Sequence, residues 1–386
     1  MTLMHEIGAM TSRRRFLRLT GSAALAAALA HKAPSARADA AGVWRNRNPD
    51  MAYRRLGRTG YMISEVICGG NTISPVNFEH VNAAIDMGLN YLDTAPAYGS
   101  GASEQGYSKV LKDKRDQVFL ATKVSLWASN RNELFQKIFE SLPASEQRKL
   151  KNDAREELEK RHALDENYLL NYFAGQRPAL EASALSNVME RRFGDRVDRR
   201  KEYKSTIIRS VEESLQRLGT DHVDLLNCPH GANSYEEVTR FPEIFEAFET
   251  LKTAGKVAHL GVSSHSDPAG VLQGAIDAKV YSMGMVAFNI LNRPYVEPAL
   301  EKAQQADLGV IAMKVARPIH HGRNNGQPND PRRVAVIEEA IPGKLKTPLK
   351  CYLWALRNSK IAAVNSEMKN IAMVRDNLPL AGRVKA

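Results

Sequence analysis

Four polar side chains interrupt or closely follow short apolar runs. Asp93 lies in "NYLDTA", Tyr98 five residues later in "YLDTAPAYG", Lys123 near the end of "QVFLATKV", and His230 at the end of "HVDLLNCPH". Singly each is ordinary: a loop tyrosine packs, a strand-end lysine extends its ammonium to water, and a terminal histidine caps. Together they set an acid, a phenol, an ammonium and an imidazole at the same end of successive runs. Gathered in one pocket, such a set moves protons. The phenol, with an ordinary pKa of about 10, holds its proton at neutral pH, and a nearby ammonium favours the phenolate. A carboxylate keeps that ammonium charged and aimed, and the imidazole offers a hydrogen bond to a reacting oxygen.

Positioning them requires elements that converge. From residue 64 onward, apolar runs alternate with amphipathic helical patterns: "SEVICGG", "NYLDTA", "QVFLATKV", "HVDLLNCPH", "VAHLGVSS", "MGMVAFN", "LGVIAMKV" and "KIAAVNS". Such runs, each followed by a helix, imply buried parallel strands. Eight units predict an α/β fold of the (β/α)8 barrel type, in which strand ends share one mouth. No strand is followed by G-x-G-x-x-G, which argues against an open dinucleotide-binding sheet.

Most strand starts are spaced by roughly 25 to 35 residues, the size of a βα unit. The third and fourth are separated by far more. The helix "STIIRSVEESLQRLG", with Ile207, Ile208, Val211, Leu215 and Leu218 on one face and Gly219 as its stop, fills the end of that gap. The remainder, 126–201, is a mainly helical insertion between strand three and helix three, inside a barrel spanning 50–380. An insertion at a strand's C-terminal end falls on the active-site face, so a lid or specificity element competes with a plain helical hairpin. The polar stretch "ARPIHHGRNNGQPNDPRR" after strand seven reads as a mobile loop.

The N-terminus, 1–40, has a different composition. "SRRRFLRL" precedes the weakly apolar "TGSAALAAALA" and the small-residue site "SARADA". That order is an export signal, and the paired arginines specify the Tat translocase and a periplasmic or otherwise exported product. Residues 1–38 carry +5 of the chain's +11, leaving a modest positive charge without basic runs interleaved with aromatics. Nucleic acid is therefore not an expected partner, and no apolar run is long enough to span a membrane in the mature form. The three cysteines, Cys68, Cys228 and Cys351, are far apart and read as buried free thiols. His230, His265, His320 and His321 lack the spacing of a metal site, so no metal is expected.

The segments "YRRLGRTGYMISEVICGG", "GLNYLDTAPAYGSGASE", "ATKV", "SVEESLQRLGTDHVDLLNCPHG" and "HLGVSS" closely resemble the aldo-keto reductase family. The resemblance runs from about Tyr53 to Leu380, interrupted by the insertion. It implies a catalytic set of Asp93, Tyr98, Lys123 and His230, and a nicotinamide cofactor across the barrel mouth, NADP(H) before NAD(H). It also implies cofactor contacts from Gly70, Ser263, Ser264, Asn289 and Lys314, and from Lys369, Asp376 and Asn377 near the adenosine end. This chain departs from the family pattern at Met285, Met313 and Glu367. Glu367 falls where a carboxylate would repel a 2′-phosphate, with Lys369 and Arg375 close enough in sequence to compensate.

The function so implied is interconversion of a small carbonyl compound (aldehyde, ketone or keto-sugar) and its alcohol. Tyr98 is the proton donor, and the cofactor is held tightly because it must be exported with the protein. The altered cofactor positions leave a second reading, a binding or sensory barrel with little turnover.

Overall fold

The computed structural model describes residues 42–125, 131–197, 203–319 and 330–383. The expected export signal, most of the polar loop after strand seven with His320 and His321, and the edges of the insertion lie outside these residues.

An antiparallel hairpin, β1 (Tyr53–Arg55) and β2 (Met62–Ser64), precedes eight strands. These are β3 (Val66–Gly69), β4 (Tyr91–Asp93), β5 (Phe119–Lys123), β6 (Val223–Asn227), β7 (Val257–Ser264), β8 (Met283–Ala287), β9 (Gly309–Met313) and β10 (Ala363–Glu367). They close into a parallel barrel, with β10 returning to pair with β3. All eight expected strands are present. The hairpin was not anticipated, because its strands are short and its residues mixed in character.

The hairpin has a defined use. Leu56, Tyr61 and Ile63 join Ile67, Tyr91 and Phe119 in the apolar cluster that fills the barrel. Tyr61 stacks on Phe119 with centroids 4.1 Å apart. One end of the barrel is therefore filled by side chains, and the polar groups gather at the other, where the strands end.

Between β5 and the helix Ser205–Leu218 lie three helices, Asn132–Glu140, Ala144–Lys160 and Gln176–Phe193. Helical periodicity buries Leu150, Ala154 and Leu158 of one against Leu180, Ala184 and Val188 of another. The segment is also fastened to the barrel by polar groups. Fully buried Arg131 pairs with fully buried Glu237 at 2.8 Å, and Ser183 donates to the same carboxylate. Asn187 donates to Ser234 at 2.9 Å. A buried ion pair broken on one side costs about 3–5 kcal/mol, so this junction is firm.

Gly70, expected at the cofactor, has a packing duty. A Cβ there would lie 2.3 Å from the carbonyl oxygen of Asp93 and 2.8 Å from Ser103 Oγ. The Ser103 hydroxyl donates to the Gly70 carbonyl and meets Thr94 Oγ1 at 2.7 Å, tying the ends of β3 and β4 together. Gly70→Ala is expected to lower stability by about 1–3 kcal/mol, measured as a fall in the urea midpoint at unchanged slope.

Candidate active site

Asp93 and Lys123 are the last residues of β4 and β5, strands paired in register with Asp93 opposite Ala121. Both are buried, and the Lys123 ammonium contacts Asp93 Oδ1 directly. The ammonium also donates to Thr94 O at 2.7 Å, and Asn365 Nδ2 reaches Asp93 Oδ2 at 3.3 Å from β10. Tyr98 is returned to this pair by a tight turn. Gly99, Ser100 and Gly101 all adopt positive φ, a conformation in which glycine carries no steric penalty. Lys123 Nζ then sits 4.7 Å from the Tyr98 ring centroid.

His230 enters from the loop after β6. Its backbone N–H donates to Val124 O at 2.8 Å, and the next residue, Gly231, donates to Ser263 Oγ at 3.0 Å. The loop is thereby fixed between the ends of β5 and β7. The imidazole meets the Tyr98 ring edge-on with centroids 6.1 Å apart, and its Nδ1 lies 3.0 Å from Ser125 Oγ. With Ser125 donating, the ring proton resides on Nε2, free to donate to an oxygen placed between the two rings.

Burial and charge set the protonation states. Burial alone would drive Lys123 toward the neutral amine, but Asp93, with Tyr98, outweighs it, and the pKa is raised. Tyr98 was expected to be lowered by that ammonium. Burial is the larger influence and leaves the phenol raised, so it stays protonated at neutral pH. His230 is pushed down to about 3 by burial and then by Lys123 and Lys314, and is a neutral hydrogen-bonding group. Lys314, at the end of β9 with φ +56°, is lowered to about 8 by burial and Arg317.

Ser263, Ser264, Asn289 and Lys314 do surround the same mouth, but two have their side chains committed. Ser264 Oγ donates to Ala232 O at 2.7 Å and accepts from the Asp267 N–H. Asn289 Oδ1 accepts from the N–H groups of Leu291 and Asn292, and its Nδ2 donates to Tyr172 Oη at 2.9 Å. These groups hold turns at the ends of β7 and β8. Ser263 accepts one hydrogen bond and keeps its own proton to give.

At β10, Lys369 lies 3.4 Å from Glu367, offsetting the carboxylate. Asn377 donates to Glu367 O at 2.9 Å, and Asp376 pairs with Lys346 at 2.6 Å. Sequence reasoning missed Ser125, Asn365 and Asn227. The Asn227 amide and Asn365 Oδ1 are buried without a hydrogen-bond partner. Their signal was present: asparagine takes the place of an apolar residue in the inward alternation after Leu225 and Ala363.

The family model described as "Aldo/keto reductase family" matches residues 69–372. Aldo-keto reductase YhdN of Bacillus subtilis (strain 168) is 28% identical over 227 residues, covering 56% of this chain and 48% of that protein. The chain thus spans about half the length of this relative. Among solved structures, the holo form of an aldo-keto reductase from Bacillus halodurans superposes with a TM-score of 0.56 at 20% identity, covering 86% of this chain and 90% of that one. An aldo-keto reductase from Klebsiella pneumoniae, solved in complex with NADPH, superposes at 0.53 with 17% identity, covering 87% and 90%.

The neutral imidazole can be checked without assuming any reaction. In ring-labelled protein, the His230 resonance is expected to hold its neutral shift from pH 8 down to pH 5, since its pKa is displaced to about 3. A titration step near 6.5, the ordinary histidine value, would contradict the site as described.

Proposed function

The chain belongs to the aldo/keto reductase family, and on that premise we propose that it interconverts a small carbonyl compound and its alcohol with a nicotinamide cofactor. The observation that carries this reading is the Tyr98 phenol held against the buried Lys123–Asp93 pair, with a neutral His230 across from it.

The residues at the mouth fit such a cofactor. Lys314 carries a half-buried ammonium that forms no ion pair among the described residues, a suitable partner for a phosphate. The Ser263 hydroxyl proton and the unpartnered amide of Asn227 offer hydrogen bonds to a carboxamide. Lys369 beside Glu367 makes the adenosine end compatible with NADP(H), and the Klebsiella pneumoniae protein was solved with NADPH. Asp376 and Asn377 lie on the same helix and are assigned to the adenine by resemblance. Gly70 is assigned to packing instead.

Bound there, the nicotinamide supplies the hydride. The chain's own task is the proton and the orientation of the carbonyl. Tyr98 gives its phenolic proton to the carbonyl oxygen, and the Lys123 ammonium stabilises the phenolate left behind. Asp93 keeps the ammonium charged and in place. His230, with Nδ1 turned to Ser125, donates from Nε2 to the same oxygen and orients it. In the reverse direction the phenolate is the active form. The raised Tyr98 pKa therefore makes alcohol oxidation rise with pH, while reduction stays flat below it.

Tyr98→Phe removes only the hydroxyl. Carbonyl turnover with NADPH is expected to fall by roughly 10²–10⁴, while nucleotide binding followed by fluorescence is retained. Wild-type protein that reduces none of a panel of aldehydes, ketones and keto-sugars with NADPH or NADH would refute the reading. The arginines Arg13 and Arg14 support a second proposal, export of the folded protein by the Tat translocase to the periplasm. Replacing both by lysine is expected to leave uncleaved protein in the cytoplasmic fraction; normal processing would exclude that route.

A further inference from the structure

We propose that the inserted segment is a clamp that retains the nicotinamide cofactor in the barrel mouth. This rests on the function proposed above and assigns a purpose to a part of the chain which that function does not use.

The catalytic set comes from the ends of β4, β5 and β6. The insertion leaves the barrel after β5, yet residues 161–176 make most of their polar contacts beyond the ends of β7, β8 and β9, with Arg161 also donating to Asn233 O after β6. Arg161 and Tyr168 both bind Asp267, which caps the helix Pro268–Ala278 after β7; the Tyr168 hydroxyl lies 2.7 Å from Asp267 Oδ1. Tyr172 Oη accepts from Asn289 Nδ2 at 2.9 Å, just after β8. Arg317, after β9, donates to Tyr172 O at 3.1 Å. Phe173 meets the His265 ring edge-on, with centroids 5.3 Å apart.

These contacts fall beside Ser263, Ser264, Asn289 and Lys314, the residues that surround the expected nicotinamide and phosphate positions. Tyr172 is 1% exposed and packs with Leu170 on Ala287. A free helical hairpin would not bury a tyrosine and satisfy both its hydroxyl and its carbonyl on two different strand ends. The segment is a fixed cover on the cofactor half of the mouth, and a large dinucleotide leaving that half must first displace it. Asn289 then acts through Tyr172: its amide holds the cover and does not itself touch the ligand.

Release provides the test. NADPH is loaded on the full-length chain, displaced by excess NADP+, and its loss followed by stopped-flow fluorescence. Tyr172→Phe removes the hydroxyl that Asn289 uses, and Tyr168→Phe removes the one on Asp267; thermal midpoints are recorded for both. Each is expected to accelerate release roughly five- to tenfold, the kinetic equivalent of one buried hydrogen bond. Arg155→Gln, on an exposed face of the same segment, is expected to leave release unchanged. Unchanged or slower release in both tyrosine variants would overturn the clamp, slower release showing that the segment competes with the nucleotide. Equal acceleration by Arg155→Gln would overturn it too, showing general loosening. If neither NADPH nor NADH binds the unaltered chain, the clamp falls together with the nicotinamide reading; binding with unaffected release removes the clamp alone.

Discussion

An ammonium taken out of water must keep its carboxylate, and the mouth of this barrel is arranged around that requirement. Lys123 and Asp93 are 1% and 0% exposed, and desolvating either charge alone costs several kcal/mol. The pair is tolerable because further hydrogen bonds reach both partners: Thr94 O accepts from the ammonium and Asn365 donates to the second carboxylate oxygen. Each partner is brought from a different element, β4, β5 and β10, so the geometry exists only when the barrel is closed. The supports follow from this. Gly70 admits the Asp93 backbone, and Glu104, taking Thr122 Oγ1 at 2.7 Å and Arg217 at 2.6 Å, fixes the strand that carries Lys123.

Burial above all, with the cations gathered at the mouth, sets the character of the neighbouring groups. A cation at the centre of a half-buried mouth makes a second one costly, and both histidines give way by staying neutral. His230 is lowered to about 3, and His265 is likewise lowered by burial together with Lys314, His230 and Lys123. Lys314 is lowered to about 8. Tyr98 is drawn in opposite directions, with burial favouring the phenol and Lys123 favouring the phenolate. A phenol in that balance keeps its proton at rest and loses it only to an acceptor that arrives in the mouth, which suits a donor to a developing alkoxide.

Much of this was legible from sequence, for identifiable reasons. Barrel strands are buried on both faces and stand out as apolar runs, so a charged or polar residue at a strand end, such as Asp93 or Lys123, is conspicuous. The turn duties of Ser264 and Asn289 were not legible, because a serine hydroxyl or an asparagine amide serves a turn as readily as a ligand. Which it serves depends on the neighbouring backbone: Ala232 for one, Leu291 and Asn292 for the other. Asn227 and Asn365 were passed over although each breaks the inward apolar alternation of its strand, because neither carries a charge that draws attention to the break. The insertion showed its helices through their periodicity, but Asp267, Asn289 and Arg317 are far from it in sequence, and no local pattern reports such pairings.

Those pairings give the mouth two unlike halves. On the β7–β9 side, Ser264, Asn289 and the segment's own Tyr172 are buried while His265 and Lys314 are half-buried; on the β4–β6 side Tyr98 and His230 are half-buried and Ser125 is exposed. Under the proposed clamp, a ligand held on the β7–β9 side would exchange more slowly than one on the β4–β6 side. Under the proposed function, a nicotinamide retained on the β7–β9 side would supply hydride to a carbonyl and take it back from an alcohol, with Tyr98 giving the proton in one direction and recovering it in the other. The proposed retention and the proposed turnover would then meet at the ion pair beside Tyr98, which lies between the two sides of the mouth.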